Sequence, residues 1–146
     1  MYTMATVTNI LANKAKETFT ISPESSVYQA LEMMVAKNVS ALIIMDGEQI
    51  AGIFTERDYA RKVILKGKAS KETPVSDIMT KDLITVTAGT SIDDCMQLMT
   101  SKYIRHLPVV EEKKLIGIIS IGDVVRQIIE DQKFLIENMG NYIGGA

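Results

Sequence analysis

Gly52-Ile53-Phe54-Thr55-Glu56-Arg57-Asp58, and about 65 residues later Gly117-Ile118-Ile119-Ser120-Ile121-Gly122-Asp123, are the stretches that decide the fold. Both read Gly, two apolar residues, Thr or Ser, two further residues, Asp. Moving outward at the same offset, residues 19–61 lie over 84–126 without a gap. Identities fall at Thr20/Thr85, Ser26/Ser91, Met34/Met99, Lys37/Lys102, Leu42/Leu107, Gly52/Gly117, Ile53/Ile118, Asp58/Asp123 and Arg61/Arg126. Upstream, Val7-Thr8-Asn9-Ile10-Leu11 echoes Val75-Ser76-Asp77-Ile78-Met79. The chain is an internal duplication. Two copies are too few for a solenoid, which predicts two lobes packed about a pseudo-twofold axis. The boundaries are a first repeat over 1–66, a linker over 67–74, a second repeat over 75–130 and a helical tail over 131–146.

Each copy reads strand, helix, strand, strand, helix, an α/β (α+β) architecture. A short extended piece (residues 19–21 or 84–86) precedes a helix that starts at a Ser cap. Val27, Ala30, Leu31, Met34 and Val35 then follow the spacing of one helix face, repeated by Ile92, Cys95, Met96 and Met99. Two apolar runs joined by Asp46-Gly47 predict a hairpin, with residues 107–110 and 115–120 as its counterpart. A second helix follows at Thr55 or Ser120. The tail from Gln127 to Tyr142 carries Ile128, Ile129, Phe134, Leu135, Ile136 and Met139, too apolar to face water alone, and is expected to dock on the other lobe or on a second subunit. Arg61, Lys62, Lys66, Lys68 and Lys71 form a basic cluster read as a solvated helix end and loop.

Composition narrows the function. The 146 residues, 47% hydrophobic and 23% charged, make one compact unit or two small lobes sharing a core rather than a disordered chain. Sixteen basic against eighteen acidic residues give a net charge of −2, which offers no global field for nucleic acid, and 5% aromatics with no Trp offer no base-stacking surface. One cysteine, Cys95, and one histidine, His106, exclude a disulfide framework and Cys- or His-rich metal sites, and a reducing cytoplasm fits. The N-terminal Met1-Tyr2-Thr3-Met4-Ala5-Thr6 reads as neither a signal peptide nor a membrane segment. No nucleophile elbow, Walker loop or metal cluster stands in the sequence, so no catalytic or metal-binding residue is assigned and an enzyme is not expected.

The repeated motif supports two readings. Ser or Thr followed three residues later by an acid is a capping motif, and a cap alone would explain it. The mid-strand Gly adds something a cap does not need, a close approach by another backbone or by a ligand. A helix start also presents amides, a hydroxyl and a positive dipole end to an anion, while a nearby Asp accepts hydrogen bonds from sugar hydroxyls. A phosphate plus a diol is a nucleotide.

With these residues in place, the chain from about Val7 to Arg126 resembles a tandem pair of CBS domains, named after cystathionine beta-synthase. The resemblance extends to standalone bacterial pairs carrying Thr55-Glu56-Arg57-Asp58-like and Arg105-His106-Leu107-Pro108-Val109-Val110-like segments. It implies a regulatory module that binds adenosine nucleotides between the two copies, with AMP, ADP, ATP or NAD(H) as the ligands to expect and no catalytic cofactor. It implies that Thr55 or Ser120 contacts phosphate and that Asp58 or Asp123 holds the ribose. It places adenine near Thr20, Ser40 and Ala41 in one site, and near Met79, Thr85, His106 and Pro108 in the other. The sites differ: Arg57 stands where the second copy has Gly122, and the second copy offers Arg105-His106 where the first has Ser40-Ala41. His106 is also readable as a structural imidazole, and Cys95 as core. The implied partners are an adenosine nucleotide, a second copy in a homodimer and a regulated protein whose identity the sequence does not reveal. The alternative is a dimerisation or scaffold module that binds no ligand.

Overall fold

The computed structural model describes residues 5–14 and 18–144, with side chains of 140–144 outside the description. The reading of Met1 to Met4, the side chain of Tyr142 and the last two residues of the tail therefore lie outside the described residues. Within this span run α1 (Val7–Ala12), β1 (Thr20–Ile21), α2 (Val27–Lys37), β2 (Ala41–Asp46), β3 (Gln49–Thr55), α3 (Glu56–Asp58), α4 (Ile92–Lys102), β4 (His106–Glu111), β5 (Lys114–Ser120) and α5 (Ile121–Gly144). A π-helical stretch, Tyr59–Ile64, continues α3, and a 3-10 turn covers Val75–Asp77.

Local chemistry sets these elements as the sequence predicts. Ser26 Oγ accepts the Gln29 amide at 3.0 Å, and Ser91 Oγ accepts the Asp94 amide at 3.1 Å, so the same cap starts the same helix twice. The first hairpin turns at Gly47, whose φ of 63° is open to glycine without steric cost. The second turns through Glu112 and Lys113, both left-handed at φ 49° and 67° without glycine. Two expectations fail. The extended piece at 84–86 forms no strand and keeps only a parallel bridge from Val86 to Val109, because the two-stranded β4–β5 sheet leaves it a single contact. Val35, expected on the buried face of α2, is 83% exposed, since Ala30 and Met34 already fill that face. The linker is held to the first turn of α2, the Ser70 carbonyl accepting from Tyr28 N and the Thr73 carbonyl from Val27 N.

The compact units are not contiguous halves of the chain. The first, the β1–β2–β3 unit, spans Glu17–Ile84 with Glu112–Leu115 grouped with it. Its sheet runs β1-β2-β3, parallel then antiparallel, with Ala41 opposite Thr55. Val27, Ala30, Met34, Leu42, Ile44, Phe54, Val63, Val75 and Ile78 form its core. Ile78 and Val75 belong by sequence to the second repeat, and their segment is held here by Val75 N to the Ser25 carbonyl and by a backbone pair between Thr80 and Ile53.

The second, the β4–β5 unit, gathers Met1–Lys16, Thr85–Glu111 and Ile116–Ala146. Here α1, from the first repeat, is tied to the residues leading into α4 by Val7 N to Thr90 O and Ile92 N to Ala5 O. Val7, Ile10, Ile92, Cys95, Met99, Leu107, Val109, Ile119 and Val124 are buried. Each repeat's leading segment is thus exchanged into the unit formed by the other repeat. At about 25 cal/mol per Å2 of apolar surface removed from water, this exchange gives each small sheet a covering it lacks in its own sequence half.

Candidate functional site

In each unit a hairpin strand runs straight into a helix, and the motif sits at that junction. Thr55 ends β3 and caps α3: its amide donates to Asp58 Oδ2 at 3.0 Å, and the Asp58 amide donates back to Thr55 Oγ1 at 3.1 Å. Ser120 ends β5 and does the same before α5, its amide donating to Asp123 Oδ2 at 2.8 Å and the Asp123 amide to Ser120 Oγ at 3.2 Å. The first helical amides are taken up alike, Glu56 N by the Ser40 carbonyl and Ile121 N by the Arg105 carbonyl. The capping reading of the motif is therefore realised in both copies.

The glycine signal is also resolved. A Cβ on Gly52 would lie 2.8 Å from Met79 Sδ and from the Thr80 carbonyl, so backbone from the exchanged segment makes the close approach. A Cβ on Gly117 would meet Leu11 Cδ2 at 2.9 Å. Both glycines make room for chain that the exchange brings in.

In the β1–β2–β3 unit, Thr20, Ser40, Ala41, Thr55, Arg57 and Asp58 come to the ends of neighbouring elements. Ala41 stands opposite Thr55 in the sheet, Ser40 accepts from the start of α3, and Thr20 pairs with Ile43. Met79, grouped by sequence with Thr85, His106 and Pro108, lies in this unit against Gly52, because its segment is exchanged. Asp58, 7% exposed, receives two further contacts that sequence reading missed: Thr80 Oγ1 donates to Oδ1 at 3.0 Å, and Lys62 Nζ lies 3.1 Å from the same oxygen. Lys62 also donates to the Ile78 carbonyl, so the ammonium of this member of the basic cluster is anchored although its side chain stays partly exposed.

In the β4–β5 unit, Thr85, Arg105, His106, Pro108, Ser120, Gly122 and Asp123 are gathered. The Pro108 carbonyl accepts from Val86, next to Thr85, and His106 opens β4 beside Arg105, whose carbonyl meets α5. Asp123 here holds two cations missed from sequence, Lys14 Nζ at 2.7 Å on Oδ2 and Arg126 Nη2 at 2.7 Å on Oδ1. Lys14 also donates to the Ile118 carbonyl. No sequence pattern links Lys14 to Asp123, whereas Arg126, one turn on, is an ordinary i,i+3 partner.

Electrostatics follow from this packing. Burial pushes the Asp123 carboxyl up, but hydrogen bonds from Lys14, the Ser120 amide and Arg126, with the Lys14 charge, outweigh it and hold the group below its ordinary value. Burial, then the Lys14 and Arg105 charges, lower His106 against the opposing pull of Asp123, leaving a neutral imidazole at neutral pH. Cys95 is fully buried on α4, its thiol pushed up by burial and then by Asp94, the opposite of an activated nucleophile. Among the described residues no group of three or more His, Cys, Asp or Glu is placed to hold a metal ion, and no helix is long and apolar enough to cross a membrane.

The arrangement, two hairpin-to-helix junctions each closed by a Ser/Thr–Asp box, matches a known domain profile twice. The CBS domain profile covers residues 10–65 and 75–130. The chain belongs to the CBS domain family. Relatives agree along its length: the CBS domain-containing protein CBSX3, mitochondrial, of Arabidopsis thaliana is 42% identical over 97% of this chain and 73% of its own. A solved protein with CBS domains from Burkholderia ambifaria superposes with a TM-score of 0.85 at 47% identity, covering 88% of this CBS chain and 96% of that one. A CBS domain pair solved in complex with 5-methylthioadenosine and S-adenosyl-L-methionine shares the fold at a TM-score of 0.75 and 24% identity, over 86% and 97% of the chains. The expected mixed α/β fold of two CBS repeats is thereby established.

Proposed function

We propose that this CBS pair is a regulatory module that binds an adenosine nucleotide, AMP, ADP, ATP or NAD(H), and signals its occupancy to a partner protein in trans, working as a homodimer in a reducing cytoplasm. The observation that carries the reading is the repeated junction at which a hydroxyl and a carboxylate meet at a helix start, Thr55 with Asp58 and Ser120 with Asp123. The hydroxyl and the helix dipole suit a phosphate, and the Asp suits ribose hydroxyls. Arg57 and Lys62 in one unit, and Lys14, Arg105 and Arg126 in the other, add cations for phosphate. The adenine would be read by main chain near Thr20, Ser40 and Ala41, and near Thr85, His106 and Pro108. The neighbour's methylthioadenosine and S-adenosylmethionine support the adenosine part of this reading.

Thermal unfolding with AMP, ADP, ATP, NAD, NADH and S-adenosylmethionine tests it. A true ligand at 100 times its dissociation constant adds about 2.7 kcal/mol of apparent stability. No response to any of the six contradicts the reading.

A second reading, a ligand-free assembly element, is favoured by two observations. The carboxylates of Asp58 and Asp123 are engaged by their own chain, and α5 exposes Val125, Ile129, Ile136 and Met139. No catalytic residue is assigned in either reading.

A further inference from the structure

Asp123 is held by three donors: the Ser120 amide and Lys14 Nζ on Oδ2, and Arg126 Nη2 on Oδ1. A carboxylate offers about four lone-pair directions, so two ribose hydroxyls do not fit beside three donors and one must leave. The surroundings decide which. The Ser120 amide is the helix cap, and Lys14 is only 31% exposed and is fixed a second time by the Ile118 carbonyl. The Arg126 side chain is 72% exposed and makes an i,i+3 pair, the kind that water screens most.

Arg126 is also already placed over the start of α5. A Cβ on Gly122 would lie 3.6 Å from Arg126 Nη1 and 3.6 Å from Ser120 Oγ. The guanidinium and the hydroxyl therefore border the same small space, kept open because position 122 carries no side chain.

We propose that Arg126 changes partner when ligand binds, leaving Asp123 Oδ1 to the ribose and gripping the 5′-phosphate with Ser120 Oγ over Gly122. Arg126 is then the specificity-determining residue of this site, selecting adenosine 5′-phosphates over adenosine compounds that lack a phosphate. The inference rests on the reading of Ser120 and Asp123 as a nucleotide site and names what that site prefers. The other unit exchanges different groups: Arg57 fills the position of Gly122, and the donors a ribose would displace from Asp58 are those of Lys62 and Thr80, not of Arg61. Arg61, the counterpart of Arg126, is exposed and serves as the control.

Calorimetric titration of the full chain with AMP and with 5′-methylthioadenosine, which shares its adenine and ribose diol but carries an uncharged methylthio group in place of the 5′-phosphate, tests this on wild type, Arg126→Gln and Arg61→Gln. The binding event at this site is the one lost in Asp123→Asn. Arg126→Gln is expected to weaken AMP at that event by about tenfold or more, the loss of one charge-assisted hydrogen bond, while methylthioadenosine binds no more weakly and gains affinity, because its ribose no longer displaces the guanidinium from Asp123. Arg61→Gln is expected to leave both ligands unchanged. Equal weakening of both ligands by Arg126→Gln, or no effect on AMP, overturns the exchange while the nucleotide site stands. Wild type that binds neither ligand overturns the site itself and the exchange with it.

Discussion

Lys14 Nζ lies 2.7 Å from Asp123 Oδ2 although 109 residues separate them in sequence. This contact links the end of α1 to the start of α5 inside one compact unit, and it sits at the residue proposed to receive the ligand's ribose. The consequence is a measurable coupling among folding, protonation and binding at a single carboxylate.

The protonation arm has a definite sign. Asp123 is lowered in the folded chain, so its contribution to stability is complete above its ordinary value of about 4 and is lost as pH falls through the lower folded value. Lys14→Gln removes the largest of the lowering contacts, so its urea midpoint should fall less steeply with acid below about pH 4 than that of wild type. His106 is also lowered, so a separate loss begins as pH falls below 6.5 and should vanish in His106→Gln. Identical midpoint-versus-pH curves for wild type and both variants would contradict these assignments.

Gly52 and Gly117 occupy matching places but meet different neighbours. Gly52→Ala drives a Cβ into the Thr80 carbonyl and Met79, and should cost about 1–3 kcal/mol in urea unfolding. Gly117→Ala meets only the end of the Leu11 side chain, which can move, and should cost less. The reverse order would mean that the exchanged segments are not what these glycines accommodate.

Self-association is the prediction for α5. Val125, Ile129, Ile136 and Met139 are exposed along it, a row that a second copy can cover. Light scattering at micromolar concentration should give a dimer mass for wild type and a monomer mass for Ile129→Asp/Ile136→Asp. A wild-type monomer removes the homodimer from the account.

Much of this was legible in the sequence, because duplication prints local rules twice. The Ser26 and Ser91 caps, both hairpins and both Ser/Thr–Asp boxes depend on residues three or four apart, which pattern reading handles well. The exchange of α1 and of residues 75–80 was not legible, since it pairs segments dozens of residues apart with no periodicity to announce it. The mid-strand glycines marked that something comes close without saying what. Lys14 and Thr80 escaped for the same reason; Lys62 stands at i,i+4 from Asp58, a spacing open to sequence reading, and was passed over because a lysine among lysines reads as solvated. The resemblance groups Met79 with Thr85, His106 and Pro108, while the chain passes from one unit to the other between Ile84 and Thr85 and leaves Met79 against Gly52.

The central claim is that Asp58 and Asp123 each hold one adenosine nucleotide. It is tested most directly by calorimetric titration of the full chain with AMP and NAD, repeated on Asp58→Asn, Asp123→Asn and the double variant, Asn being chosen because it can still cap a helix. The account predicts that each single variant loses one binding event and the double variant loses all binding. A folded double variant that binds as wild type does would contradict it.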